Sequence, residues 1–264
     1  MSDGAAGATP PDRRGYLLDV DGVLHVGMTP VPGAAAFLDG LTAQGIPYRL
    51  LTNTTTASRA SLAERLRGIG LPVADGDLLT APVATAAYIR RRFPDARCYL
   101  LAKGDVVDDF LAAGLTLVGP DGAPAADVVV IGGAEDELTY ARLNHAYRLL
   151  LGGARLIAMH RNPAWRTAAG MSLDSGPFVI ALERAAGVRA TVIGKPALPF
   201  FRHGLRDLGL RPAAVTMVGD DAYNDLRPAS RLGMRTVLVR TGKPVGPAEA
   251  ALADVVLDSV AALQ

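Results

Sequence analysis

The chain has 264 residues, half of them hydrophobic, and a formal net charge of +1. This length allows a well-buried core and predicts two domains. The near-neutral charge argues against a nucleic-acid partner, and no stretch approaches the roughly 20 apolar residues of a membrane span. The single cysteine, Cys98, excludes an intramolecular disulfide and favours a reducing compartment, so we expect a cytoplasmic protein.

The polar, small residues at 1–15 predict a loose tail, and the first structured segment follows directly. Residues 16–24 read YLLDVDGVL, a short apolar run that predicts a buried strand ending in Asp19 and Asp21. Residues i and i+2 of a strand point to the same side. Two like charges there are unfavourable unless a cation binds between them. The alternative is an ordinary capping or turn acid after a core strand.

Polar groups also follow three later strands. The predicted strands at 47–51, 190–193 and 214–218 are followed by hydroxyl, amide, ammonium and carboxylate groups, namely Thr52, Asn53, Lys195, Asp220, Asp221, Asn224 and Asp225. In an open parallel sheet, ligands bind outside the carboxyl ends of the strands, where the strand order reverses. The four strand ends together therefore predict one site.

Strands and helices alternate along the chain and predict an α/β fold. We expect a doubly wound, Rossmann-like parallel-sheet core at 1–81 and 190–264, with an α/β cap domain inserted at 82–189. Helices are predicted at 33–44, 57–68, 83–92, 105–113, 138–151, 176–186, 198–208 and 224–232. The remaining strands are predicted at 97–102, 127–131, 155–159, 235–239 and 254–257. An inserted cap favours opening and closing about its two linkers.

Lysine is rare in this chain, which uses arginine for most of its basic residues. The three lysines are Lys103, Lys195 and Lys243. A compact ammonium group suits a crowded phosphate site better than a planar guanidinium does. Lys195, directly after a buried strand, is therefore a candidate phosphate ligand, whereas we interpret the other two as solvated charges.

The order and spacing of these motifs resemble the haloacid-dehalogenase-like hydrolase superfamily. Within it the chain is similar to the large-cap (class IIA) phosphatases, and most to the phospholysine/phosphohistidine/inorganic pyrophosphate phosphatase branch. The similar stretches are LTNTTTASRASLAERL, LIAMHRNPAWRTAAGMSLDSGPFVIALE, VIGKPALPFF and VGDDAYNDLRPASRLGMRTVLVRTGK. The resemblance implies an Mg²⁺-dependent phosphatase that hydrolyses a small phosphomonoester, phosphoramidate or pyrophosphate.

The resemblance also implies roles for the acids. Asp19 would be the nucleophile that forms an aspartyl-phosphate, and Asp21 the general acid and base. The Mg²⁺ ligands would be Asp19, the backbone carbonyl of Asp21, and Asp220. Asp225 would lie behind the ion or reach it through water, with Asp221 as an alternative.

Phosphate and leaving-group contacts come from other segments. The Thr52 hydroxyl, the Asn53 backbone amide and the Lys195 ammonium group would bind phosphate oxygens. In the cap, His160 and Arg161 would contact the leaving group, although His160 also fits a hydrogen-bonded loop histidine. The resemblance further suggests a homodimer through the cap.

Other functions use related residues. A phosphate-accepting receiver domain also combines Asp, Thr and Lys on a parallel sheet, but it needs no large cap. A non-enzymatic phosphate-binding or scaffold protein on the same fold is a second alternative, although Asp19, Asp21 and Lys195 are all retained. A phosphotransferase or phosphomutase of the same superfamily is the third.

Overall fold

The computed structural model of the protein describes residues 14–119, 125–167 and 170–263. Most of the predicted tail at 1–15 therefore lies outside the described residues. The chain divides into two compact units: the first contains Met1–Leu50, Gly70–Pro72 and Phe201–Gln264, and the second contains Leu51–Ile69 and Val73–Phe200. The predicted core and cap boundaries, 1–81 with 190–264 and 82–189, stay a prediction.

Strands and helices alternate through the described residues. The strands are β1 (Gly15–Asp19), β2 (His25–Val26), β3 (Thr29–Pro30), β4 (Tyr48–Thr52), β5 (Leu78–Thr80), β6 (Arg97–Leu101), β7 (Thr116–Val118), β8 (Val128–Ile131), β9 (Arg155–Ala158), β10 (Ala164–Thr167), β11 (Gly170–Leu173), β12 (Thr191–Val192), β13 (Val215–Gly219), β14 (Arg235–Val239) and β15 (Val255–Leu257). The α-helices are α1 (Ala34–Ala43), α2 (Arg59–Gly68), α3 (Ala81–Arg92), α4 (Val107–Ala112), α5 (Tyr140–Leu151), α6 (Gly176–Ala186), α7 (Leu198–Leu208), α8 (Arg227–Arg231) and α9 (Pro247–Ala250).

The sheet of the first unit determines where its acids lie. Its strands include β15, β14, β13, β1 and β4, adjacent in that order, and β1, β13, β14 and β15 pair in parallel. Strand order reverses beside β1, because β4 lies on one side and β13 on the other. Asp19 is the last residue of β1, and Asp220 directly follows β13. Both acids therefore lie at the carboxyl ends beside this switch point, where open parallel sheets bind ligands.

The second unit has a parallel sheet of its own, in the order β12-β9-β8-β6-β7. Its strands are paired so that Ala158 lies opposite both Ile131 and Val192, which brings their carboxyl ends to one edge. Helices α5 and α6 cover a core of buried apolar side chains on this sheet. Two parallel α/β units confirm the predicted fold class, because apolar strands of this kind need helices to bury their faces.

Several elements differ from those expected. The predicted strand at 190–193 was placed in the first domain, but its counterpart β12 pairs with β9 in the sheet of the second unit. The hairpin of β10 and β11 was not predicted. The helix expected at 224–232 begins as a π-helical turn, Ala222–Leu226, and continues as α8. The hairpin strands, AWRT and GMSL, lack the continuous apolar run by which the other short strands were predicted.

Within the described residues, no helix is both long and apolar enough to cross a bilayer.

Candidate active site

Three acids of the first unit form a compact cluster. Asp19, Asp220 and Asp225 each offer a carboxylate oxygen, and these oxygens lie within 4.8 Å of one another. Asp19 is 6%, Asp220 8% and Asp225 0% exposed. Buried like charges at this separation disfavour one another. The donor set, carboxylate oxygens alone, fits a hard divalent cation such as Mg²⁺.

Glycines allow these carboxylates to pack closely. A Cβ added at Gly22 would lie 2.3 Å from Asp220 Oδ2, and one added at Gly242 would lie 2.0 Å from the same atom. A Cβ at Gly219 would lie 2.6 Å from the Cβ of Asp225. Gly22 also has a φ of +82°, a conformation that favours glycine. The acid cluster therefore depends on three residues without side chains.

Asp221 has a different role from its neighbour. Its carboxylate accepts hydrogen bonds from the backbone N–H groups of Tyr223 and Asn224, both at 2.9 Å, and so caps the π-helical turn. It also accepts from the Lys243 ammonium group. Burial raises the pKa of Asp221, but the hydrogen bonds from Lys243 and Asn224 outweigh it and leave the pKa below its usual value. The Asp221 carboxylate is thus already engaged in hydrogen bonds within the protein. Its ion pair with Lys243 was not predicted.

The Asp21 side chain is not part of the acid cluster. It is 68% exposed, and its Oδ1 lies 3.6 Å from Nε2 of His25. The His25 ring is held by Nδ1, 2.8 Å from the Gly27 carbonyl, and its backbone carbonyl accepts a 2.7 Å bond from Gly22. The structure thus gives the two acids of the DVD motif different surroundings: Asp19 is buried, and Asp21 faces solvent.

In the second unit, the loop after β4 is joined to the segment after β12. The Asn53 side chain accepts a hydrogen bond from the Lys195 backbone N–H at 2.8 Å and donates one to the Lys195 carbonyl at 2.9 Å. The Thr52 hydroxyl accepts from the Thr54 backbone N–H at 3.0 Å, a local turn contact. Thr52 is 1% and Lys195 5% exposed. These bonds join two residues that are 142 apart in the chain. The predicted phosphate contacts of the Asn53 backbone amide and the Lys195 ammonium group stay predictions.

His160 is enclosed by other polar groups of the second unit. Its Nε2 lies 3.1 Å from the Thr55 hydroxyl and 3.6 Å from an Asp174 oxygen, and its Nδ1 lies 3.4 Å from Ser175 Oγ. Burial lowers the pKa of His160, and the Asp174 carboxylate opposes that shift only in part. The ring is therefore neutral near pH 7. Its predicted contact with a leaving group stays a prediction.

Arg161, the other predicted cap residue, also has a partner. Its Nη2 donates to Glu183 Oε2 at 2.5 Å, and Oε1 of Glu183 accepts from the Ala190 backbone N–H at 2.9 Å. The Arg161 side chain nevertheless remains 36% exposed. Nearby on the hairpin, Trp165 is 42% exposed. The predicted contact of Arg161 with a leaving group stays a prediction too.

Some residues that shape these clusters were missed by the sequence reasoning. Gly242 and Gly22 were not assigned to the acid cluster, and Thr55 was not assigned a contact. The threonine run at 54–56 was a usable signal for Thr55, since three hydroxyls in a loop after a buried strand require partners. No local pattern marks Gly242 as a neighbour of Asp220.

Known proteins are similar to this chain in sequence and in fold. A family model described as haloacid dehalogenase-like hydrolase matches residues 16–116, and a HAD-hydrolase-like model matches residues 192–263. Haloacid dehalogenase-like hydrolase domain-containing protein 2 of Bos taurus is 37% identical over 236 residues, covering 89% of this chain and 87% of the relative. The chain therefore belongs to the haloacid dehalogenase-like hydrolase family.

Other relatives are named as phosphatases. The human phospholysine phosphohistidine inorganic pyrophosphate phosphatase is 33% identical over 236 residues, covering 87% of this chain and 84% of the relative. The solved structure of a p-nitrophenyl phosphatase from Archaeoglobus fulgidus is similar with a TM-score of 0.86 and 30% identity, covering 96% of this chain and 98% of that one. These findings confirm the predicted resemblance to large-cap phosphatases and the prediction of a hydrolytic enzyme.

Proposed function

We propose that the protein is an Mg²⁺-dependent phosphatase that works through an aspartyl-phosphate on Asp19. The observation that carries this proposal is the cluster of Asp19, Asp220 and Asp225 at the switch point of a parallel sheet, with carboxylate oxygens within 4.8 Å of one another. A cluster of buried acids costs stability unless a cation neutralises it. A bound cation would offset that cost at the buried Asp19 carboxylate.

Asp19 and Asp21 divide the covalent chemistry. An Asp19 oxygen attacks phosphorus, so that a bond from that oxygen to phosphorus forms as the bond to the leaving group breaks. Asp21 gives its proton to the departing oxygen or nitrogen. It then takes a proton from the water that hydrolyses the aspartyl-phosphate. The solvent exposure of Asp21 suits a group that must reach a substrate and exchange its proton.

The oxygen donors of the acid cluster fit Mg²⁺, which prefers near-octahedral oxygen ligands. Asp19, Asp220 and the backbone carbonyl of Asp21 would hold the ion. Asp225 would support it directly or through water, and Asp221 is a poorer candidate because it already caps a turn and pairs with Lys243. When bound, the ion neutralises the charge of the phosphoryl group.

Phosphate oxygens are bound by the Thr52 hydroxyl, the Asn53 backbone amide and the Lys195 ammonium group. The two hydrogen bonds between the Asn53 side chain and the Lys195 backbone support this assignment, since they fix both segments. A partly exposed guanidinium at Arg161 suits contact with the leaving group. Specificity then depends on groups that contact the part of the substrate beyond phosphate.

The substrate class is a small phosphomonoester, phosphoramidate or pyrophosphate. Relatives named as a p-nitrophenyl phosphatase and as a phospholysine phosphohistidine inorganic pyrophosphate phosphatase support this range. A cytoplasmic location and a homodimer through the cap stay predictions, and the function above requires neither.

The decisive experiment measures phosphate release by wild type and by Asp19→Asn with Mg²⁺ or with excess chelator. Substrates should include p-nitrophenyl phosphate, a sugar phosphate, pyrophosphate and a phosphoramidate. We expect turnover by wild type with Mg²⁺ and none by Asp19→Asn or in chelator. The matched control is Asp39→Asn, an exposed acid on α1, which should retain full activity. Turnover by Asp19→Asn, or by wild type in chelator, would refute the mechanism. No turnover of any substrate by wild type would favour a scaffold.

A further inference from the structure

We propose that His160 is a positioning residue that holds the phosphate-binding loop at 52–55 through Thr55. This inference rests on the proposed function, because it assigns a purpose to a contact behind the Thr52 and Asn53 groups. It is an alternative to the predicted contact between His160 and the leaving group.

Thr55 lies between the segment that follows β8, at Gly133, and the segment that follows β9, at His160. Its hydroxyl oxygen lies 3.1 Å from Nε2 of His160 and accepts a 2.8 Å bond from the Gly133 backbone N–H. Thr55 is 3% and His160 2% exposed. Hydrogen bonds this deeply buried are costly to lose, because water cannot replace the missing partner.

The surroundings of the ring indicate which nitrogen carries the hydrogen. The Asn162 backbone N–H, which can only donate, lies 3.4 Å from Nδ1. The Asp174 carboxylate, which accepts, lies 3.6 Å from Nε2. In a neutral ring one nitrogen donates and the other accepts, so Nε2 carries the hydrogen and donates to Thr55. The Thr55 hydroxyl oxygen therefore accepts two hydrogen bonds, one from His160 and one from the Gly133 backbone N–H.

In some enzymes a Thr–His contact joins a nucleophile to its general base. Thr55 and His160 do not have the geometry of such a pair. In such a pair the carboxylate orients the ring through the nitrogen opposite the nucleophile. Asp174 instead lies beside Nε2, the nitrogen that already faces Thr55. Neither side chain reaches solvent. The contact is therefore an anchor.

Glycine at position 133 makes this anchor specific. A Cβ there would lie 2.6 Å from the Thr55 hydroxyl oxygen and 3.0 Å from a Thr56 methyl group. The loop is thus fixed at two points: Asn53 binds the Lys195 backbone, and Thr55 binds Gly133 and His160. Loss of one anchor should weaken phosphate binding whatever the phosphate is attached to.

The test separates an anchor from a substrate contact. Calorimetry should measure the affinity of wild type, His160→Leu and His160→Gln for inorganic phosphate with Mg²⁺, and assays should give kcat/KM for p-nitrophenyl phosphate and pyrophosphate. We expect His160→Leu to lose about tenfold in phosphate affinity, the worth of one buried hydrogen bond, and to lose kcat/KM equally on both substrates. His160→Gln, whose amide can donate to Thr55, should recover most of both.

A loss confined to one substrate would overturn the proposal in favour of a leaving-group contact. Unchanged phosphate affinity in a destabilised His160→Leu would also overturn it, since the residue would then be structural only. If His160→Leu does not fold, Thr55→Val and Thr55→Ser provide the same comparison, with the loss expected in Val alone. Phosphate affinity needs no turnover, so failure of the proposed catalysis would appear separately, as an inactive wild type.

Discussion

The acid cluster of the first unit and the anchored loop of the second are built on opposite principles. Asp19, Asp220 and Asp225 bring groups of one sign within 4.8 Å, whereas Asn53 with Lys195 and Thr55 with His160 pair donors with acceptors. A bound cation would stabilise the first arrangement, whereas the second is held by hydrogen bonds between the protein's own groups. Repulsion among buried carboxylates therefore lowers the stability of the first region, whereas paired hydrogen bonds stabilise one conformation of the loop in the second.

The largest expected effect comes from the exposed acid beside the cluster. Asp21→Asn should lower kcat/KM for an alkyl phosphate by about 10²–10⁴-fold, the usual contribution of proton transfer. The loss should be much smaller for p-nitrophenyl phosphate, whose leaving group needs no proton. Steady-state kinetics on both esters measure the difference. Equal losses would mean that Asp21 is not the general acid.

The next prediction tests whether close packing builds the acid cluster. Gly242→Ala places a methyl group against Asp220 Oδ2, so the Mg²⁺ concentration for half-maximal activity should rise roughly 10–100-fold, as for other residues that support metal ligands. Gly68→Ala is the control, because a Cβ there meets nothing within 4 Å. A metal titration of p-nitrophenyl phosphate hydrolysis would show the shift. If the titration is unchanged, the close packing of Gly242 against Asp220 does not contribute to metal binding.

A substitution at Asn53, in the loop at 52–55, should lower the stability of the protein. Asn53→Ala removes both side-chain bonds to the Lys195 backbone, and we expect a loss of about 1–3 kcal/mol in the free energy of unfolding. Urea denaturation in chelator measures it without interference from metal. If stability is unchanged while activity falls, the loop is not the prebuilt element described here.

The smallest effect should have the opposite sign. Asp225→Asn removes one charge from a buried cluster, so stability in chelator should rise by about 1 kcal/mol, because like charges at this separation repel one another. Mg²⁺ should then stabilise the variant less than it stabilises wild type, because ligand binding to the folded state raises stability by mass action. Thermal melts with and without Mg²⁺ test both statements. If Asp225→Asn is instead much less stable than wild type in chelator, the acid cluster is not destabilising without a cation, contrary to the comparison above.

The sequence located the strand ends well, because the signal is local. Asp19 and Thr52 each end an apolar run, and a run of this kind needs only its own residues to be recognised as a buried strand. The strand predicted before Lys195 is shorter than expected, Thr191–Val192, and is not buried. The predicted bounds of α6 and α7, 176–186 and 198–208, are those of the structure.

What the sequence could not locate depends on contacts between distant residues. Thr55 is 78 residues from Gly133 and 105 from His160, and no periodicity joins them. The sheet that β12 enters is likewise decided by tertiary pairing, since a two-residue strand carries no preference of its own. Asp19 and Asp220 were predicted to lie close together because both lie at strand ends. Gly22 and Gly242 were missed because they contact Asp220 across the fold.

The scarcity of lysine has a practical consequence for labelling. Of the three lysines, Lys103 is paired with Glu135 and Lys243 with Asp221, while Lys195 is only 5% exposed. An amine-selective acylating reagent therefore meets few side-chain targets, all in distinct surroundings. Each modification could be assigned by intact mass and peptide mapping, which would make Lys195 a built-in chemical reporter of how often its surroundings open to solvent.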